Sequence, residues 1–145
     1  DVVGYNFRMT DIAAAMGVPQ LRRLDGHNET RRRHAHALTA AFRDLDWLQV
    51  PVEPPGACHV YTQYTVRVRQ REAFMAHLAR EGIGHKIFYP MLIPHTPAYR
   101  RLGFDGDFPV ADTLTKEVLS LPVHPALSAD DLHRVIDAVR SFHPR

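Results

Sequence analysis

Cysteine occurs once in these 145 residues, at Cys58. No disulfide can close within the chain, so a folded state has to rest on a packed core, and the composition fits a reducing compartment. No apolar run is long enough to cross a bilayer. The amino terminus has no basic stretch followed by an apolar one, so it does not read as a signal peptide; a cytoplasmic protein is expected. Lysine is scarce, occurring only at Lys86 and Lys116. Charge of one sign is weak too, with a net charge of +2. Arginine clusters at Arg22 and Arg23, Arg31 to Arg33, and Arg100 and Arg101 are not accompanied by zinc-finger spacing or an RNA-recognition motif, so nucleic acid is not an expected partner. The first two clusters lie in an expected helix and read as a solvated face. Internal repeats and low-complexity stretches are missing, and so is an initiator methionine: the chain opens at Asp1 directly into a motif, as expected of a cut start.

What is present suits one compact α/β domain. Hydrophobic residues make up 45% and charged residues 23%, enough apolar surface for a core and too little charge density for disorder. Residues 1–9 form an approach segment. Thr10 is placed to cap a short helix through Ala13, Ala14, Ala15 and Met16, which Gly17 ends or bends. Pro19 fits the first turn of a second, long amphipathic helix over about 20–43, with Leu21, Leu24, Arg31, Ala35, Leu38 and Phe42 on its inner stripe. The proline-rich segment 51–56 connects to a clean alternation over 60–69, in which Val60, Thr62, Tyr64, Val66 and Val68 share one face; this predicts the strongest strand. A helix over 71–81, stopped by Gly82, buries Phe74, Met75, Leu78 and Ala79. Residues 85–88 read as a second strand and 89–109 as irregular. A helix to about Glu117, an extended piece over 118–121, and a last helix capped by Ser128 with Asp131 complete the plan.

The opening Gly4-Tyr5-Asn6-Phe7-Arg8-Met9-Thr10-Asp11-Ile12, followed by Ala14-Ala15 and Gln20-Leu21, resembles the DegT/DnrJ/EryC1/StrS aminotransferases. The resemblance continues at His59-Val60-Tyr61, Gln63-Tyr64, Gly82-Ile83, Tyr89-Pro90 and Leu119-Ser120-Leu121-Pro122-Val123-His124-Pro125, covering nearly the whole chain. It implies the C-terminal small domain of a fold-type I aminotransferase, a small, mostly antiparallel sheet packed against helices. Residues 1–45 would then be an interface segment and long connecting helix, with the cofactor-binding large domain absent upstream. The implied activity is transfer of an amino group from glutamate to a nucleotide-linked keto sugar by a homodimer using pyridoxal 5′-phosphate, for antibiotic or polysaccharide sugars.

That cofactor chemistry needs a lysine, an acid beside the pyridine nitrogen, a stacking aromatic and a phosphate cradle. Lys86 and Lys116 do not resemble the family's cofactor lysine, which is expected upstream, so no catalytic residue is assigned here and the chain alone is expected to be inactive. The resemblance implies that Asn6 donates a hydrogen bond to the cofactor phosphate of the other subunit; read by itself, Asn6 caps a turn. Tyr5 and Arg8 are candidates for substrate or interface contacts. So is Tyr89, at the start of the irregular stretch, and so is His95. The family pattern continues from the tyrosine to a histidine five positions on, where Pro94 stands here and His95 follows one place later. A metal site is not expected at the adjacent Cys58 and His59, because successive strand residues point to opposite faces and no third ligand has suitable spacing. Two alternatives remain: an inactive or regulatory homologue, and a free-standing small interaction domain.

Overall fold

The computed structural model describes residues 4–5, 7–104 and 106–144. Thr10 starts helix α1 (Asp11–Phe42) as its composition predicts, its hydroxyl accepting the backbone N–H of Ala13 at 3.3 Å. Gly17 and Pro19 do not divide the helix: α1 is one 32-residue element with Pro19 inside it. Good helix formers flank the proline on both sides, and this part of the helix is exposed, so water is available to the carbonyl that the missing N–H leaves unpaired. The predicted inner stripe also splits. Ala35, Leu38 and Phe42 are fully buried, whereas Leu21 is 71% exposed and Leu24 is also exposed. Only the carboxyl-terminal part of α1 lies on this chain's own core.

The sheet has three antiparallel strands in the order β1-β2-β3: β1 (Leu48–Gln49), β2 (Tyr64–Val68) and β3 (Val118–Leu121). The alternation predicted over 60–69 survives only in β2, where Tyr64, Val66 and Val68 are buried. At Tyr61 the backbone adopts φ 47, in the left-handed region, which breaks the strand and turns the Tyr61 ring inward while Val60 faces solvent. Pairing Tyr64 with Leu121 and Val66 with Leu119 places four apolar side chains on one face. On the other face the hydroxyls of Thr65 and Ser120 hydrogen-bond at 2.8 Å and Arg67 pairs with Glu117. The segment 85–88 does not form a second main strand. It contributes one bridge, Lys86 opposite Ser120, with backbone bonds of 3.1 and 2.8 Å. Helix α2 (Arg71–Arg80) buries Phe74 and Leu78 but leaves Ala79 exposed. Within the predicted irregular stretch lie a 3₁₀ turn (Ile93–His95) and the short helix α3 (Pro97–Arg101). Helix α4 (Pro109–Glu117) leads directly into β3.

Helix α5 (Ala129–Arg140) closes the core with Val135, Ala138 and Val139, packing on α1 and α2. Trp47, Phe74 and Phe142 form an aromatic cluster with ring centroids 5.1–5.3 Å apart. Arg140 grips Asp44 through its two terminal guanidinium nitrogens, at 3.0 and 3.1 Å, and also donates to the carbonyl of Ala41, tying α5 to the end of α1. The capping box is complete: the Ser128 hydroxyl accepts the Asp131 N–H at 3.1 Å, and the Asp131 carboxylate accepts the Ser128 N–H at 3.1 Å. Ser128→Ala is expected to lower stability by about 0.5–2 kcal/mol, read from the urea midpoint. Among the described residues, no helix is long and apolar enough to cross a membrane.

Candidate functional site

Asn6 lies outside the described residues. Its neighbours Tyr5 and Phe7 stack with ring centroids 5.3 Å apart, and both are exposed, Phe7 by 89%. Arg8 is exposed and has no hydrogen bond or ion pair within the described residues. Met9, Ile12, Met16 and Val18 extend this apolar exposure into α1. At the other end of the chain, Tyr89 is 70% exposed and its ring meets Phe88 edge-on at 5.6 Å. Tyr89, Met91, Ile93 and Pro94 face Leu114 and Val118 across an open, largely apolar groove of about 480 Å³. His95 turns away from this groove into its own segment. Its Nε2 donates to the Gly106 carbonyl at 3.2 Å, its Nδ1 lies 3.5 Å from Asp112 Oδ1, and its ring meets Phe108. No hydrogen bond, ion pair or ring contact joins Tyr5 or Arg8 to Tyr89 or His95 among the described residues.

Arg32, read from the sequence as part of a solvated face, instead anchors a network. Its Nη1 donates to Glu53 Oε1 at 2.7 Å and to the His59 carbonyl at 2.6 Å. Glu53 Oε1 also accepts the His59 N–H at 2.9 Å, and His59 Nδ1 accepts the Tyr61 N–H at 2.8 Å. His59 therefore positions the left-handed turn at Tyr61, and the two rings pack 4.3 Å apart. No periodic signal links Glu53, in a proline-rich connection, to an arginine 21 residues earlier on a helix; the only sequence clue is opposite charge. The Arg32 guanidinium first, and then the His59 N–H, hold the Glu53 carboxyl well below its ordinary 4.5, at about 2. The folded state thus binds fewer protons than the unfolded chain between those values. The stabilisation is complete above about 4.5 and is lost as pH falls through about 2. Urea midpoints measured across this window should fall with acid more steeply for the parent chain than for Glu53→Gln; equal slopes would show that Glu53 does not carry the effect.

Neither lysine assembles a site for pyridoxal phosphate. Lys116 is exposed on α4. Lys86 lines a cleft of about 290 Å³ with Gln63, His85, Phe88, Ser120 and His124, and among the described residues no carboxylate lines it. Among the described residues no acid stands beside Lys86 as the pyridine nitrogen would require, and no step of cofactor chemistry can be assigned to them. Among those residues, no group of three or more histidine, cysteine, aspartate or glutamate side chains is arranged to hold a metal ion.

Fold and sequence both find relatives. The model of the DegT/DnrJ/EryC1/StrS aminotransferase family matches residues 1–140. A pleiotropic regulatory protein of Geobacillus stearothermophilus is 33% identical over 98% of this chain and 39% of its own length. A UDP-N-acetyl-3-dehydro-alpha-D-glucosamine 3-aminotransferase of Acidithiobacillus ferrooxidans is 33% identical over 97% of this chain and 37% of its own. The crystal structure of Streptomyces venezuelae DesV in complex with a ketimine intermediate superposes with a TM-score of 0.90 at 33% identity, over 97% of this chain and 38% of that one. The chain thus spans less than two-fifths of the length of each of these relatives. With nearly all of its residues matched in order and in fold, this chain belongs to the DegT/DnrJ/EryC1/StrS aminotransferase family.

Proposed function

We propose that this chain is the C-terminal portion of a cytoplasmic aminotransferase that uses pyridoxal phosphate to move an amino group from glutamate to a nucleotide-linked keto sugar. The observation that carries this reading is the continuous match of residues 1–140 to the family, together with a fold close to that of an enzyme captured with a ketimine. The chain would form the small domain that closes the active site, and the catalytic lysine and most of the phosphate cradle would belong to a large domain preceding it. Exposed apolar side chains from Tyr5 to Leu24 support an interface role for the first 45 residues, since large apolar side chains exposed in such number are normally covered by protein. We assign their cover to the large domain and to the second subunit of a homodimer.

Within this reading, Asn6 donates to the cofactor phosphate of the other subunit, and Tyr5 and Arg8 line the same interface. Tyr89 borders the substrate opening, while His95, engaged with Gly106 and Asp112, positions that segment from behind. Asn6→Ala in the complete protein is expected to weaken cofactor binding by one charge-assisted hydrogen bond, about 1.5–3 kcal/mol. Unchanged affinity across a fluorescence titration would remove Asn6 from the site. The reading as a whole is tested by extending the coding frame upstream and assaying the encoded protein with glutamate and a panel of nucleotide-linked keto sugars. Glutamate-dependent formation of an amino sugar is the expected result; a frame without a cofactor lysine would favour the inactive or regulatory alternative.

A further inference from the structure

His59 Nδ1 accepts the Tyr61 N–H at 2.8 Å. A backbone N–H can only donate, so this nitrogen carries its lone pair and the ring's proton sits on Nε2. Among the described residues no second acceptor meets that N–H. The bond spans two residues and holds Tyr61 at φ 47, a left-handed backbone that a tyrosine keeps only under constraint. The turn carries the Tyr61 ring inward, to 3% exposure, against His59 at 4.3 Å, His36 at 6.0 Å and Tyr64 at 6.2 Å. Val60 is left outside. The alternation of Val60, Thr62, Tyr64, Val66 and Val68 favours the opposite arrangement, an extended backbone with Val60 inward and Tyr61 outward. The segment thus has two arrangements, and one imidazole lone pair selects between them.

That lone pair is also where a proton adds, and His59 is exposed, so water reaches the ring. The charged and titratable groups around it are few. From the 51–56 connection, the Glu53 carboxylate accepts the His59 N–H. From α1, Arg32 donates to the His59 carbonyl, and His36 Nε2 lies 3.7 Å from Glu53 Oε2. The exposed thiol of Cys58 precedes the ring and the Tyr61 phenol follows it. Glu53, held at about 2, stays ionised throughout the histidine range. It attracts a cation here and Arg32 repels one, but neither offers the Tyr61 N–H another acceptor. We propose that His59 is an acid-sensitive latch on the Tyr61 turn: the neutral ring holds the left-handed backbone, and the protonated ring, its Nδ1 now a donor, releases residues 60–62 to the extended form. The latch follows from the fold and does not depend on the proposed substrate.

In the 145-residue chain, the His59 imidazole nitrogen shifts and the Tyr61 amide and α-carbon shifts should titrate together between about pH 8 and about pH 5. A scalar coupling across the N–H···N bond should be present at the alkaline end and lost at the acid end. Hydrogen-exchange protection of the Tyr61 amide, taken relative to Val66, should fall about ten-fold, the equivalent of one hydrogen bond. His59→Asn should hold the turn at both ends, because its Oδ1 takes the place of Nδ1, accepts the same N–H and does not titrate. His59→Ala should show the released shifts at both ends. Val66 and Phe74 shifts that match the parent's separate an open turn from an unfolded chain. His36→Gln should keep the transition, since His36 touches Glu53 and not the His59 Nδ1 bond. Tyr61 shifts that stay fixed while His59 titrates, an unchanged transition in His59→Asn, or a transition shared with Phe74 would each overturn the latch.

Discussion

Supplied with pyridoxal phosphate, glutamate and a nucleotide-linked keto sugar, the 145-residue chain is expected to show no turnover and no lysine-linked cofactor absorbance. The reason lies in what surrounds its amines. An internal aldimine requires a lysine positioned against the cofactor ring, with an acid at the pyridine nitrogen to draw electrons and a cradle for the phosphate. Lys116 is exposed on α4, and Lys86 faces a cleft lined by histidines and hydroxyls with no acid among the described residues. Enzymes commonly accelerate reactions by about 10⁶-fold or more, so losing the anchoring amine is expected to reduce turnover to the uncatalysed background. The measurement is amino-sugar formation together with borohydride trapping and peptide mapping. A reduced cofactor adduct on Lys86 or Lys116, with turnover abolished by substituting that lysine, would show that the chain carries its own catalytic centre.

Phe74→Ala should cost about 3–5 kcal/mol of folding stability, a large share of the roughly 5–15 kcal/mol available to an ordinary domain. Phe74 is fully buried and lies between the rings of Trp47 and Phe142 at 5.3 and 5.2 Å, so truncation removes both the transfer free energy of a ring and its aromatic contacts. The cluster joins α2 to the segment after α1 and to the end of α5, three elements with no covalent proximity, which limits how far the hole can collapse. Urea unfolding followed by Trp47 fluorescence reads this directly, since Trp47 is the sole tryptophan and contacts the substituted ring. Phe74→Leu, which fills more of the space, should lose less. A midpoint for Phe74→Ala indistinguishable from the parent would mean that these rings do not form the cooperative core.

Elements whose information is local were legible in the sequence. The capping box at Ser128 and Asp131, the Thr10 cap, helix α4 after Pro109 and the alternation of Tyr64, Val66 and Val68 each depend on neighbours within a few residues. The errors arose where distant parts of the chain intervene. Periodicity alone could not show that Tyr61 adopts a left-handed backbone, because the turn is held by His59, and His59 by Glu53 and Arg32 from α1. Residues 85–88 have strand composition, yet only Lys86 bridges the edge of β3. Gly17 and Pro19 carry real breaking signals, but a run of good helix formers on either side continues through them.

The candidate site divides in the same way. The ordered motifs from Gly4 to Pro125 were sufficient to reach the family, because such motifs are strings of neighbouring residues. The turning of His95 toward Gly106 and Asp112, and the placing of Lys86 beside Ser120 and His124, depend on which segments fold against one another. The sequence by itself therefore determined the family, the caps, most helices and the composition of the core, all of which follow from short-range spacing and hydrophobic pattern. Only the tertiary structure decided which charges are paired, where the strands stop and which apolar face remains uncovered, because those outcomes depend on contacts between residues far apart along the chain.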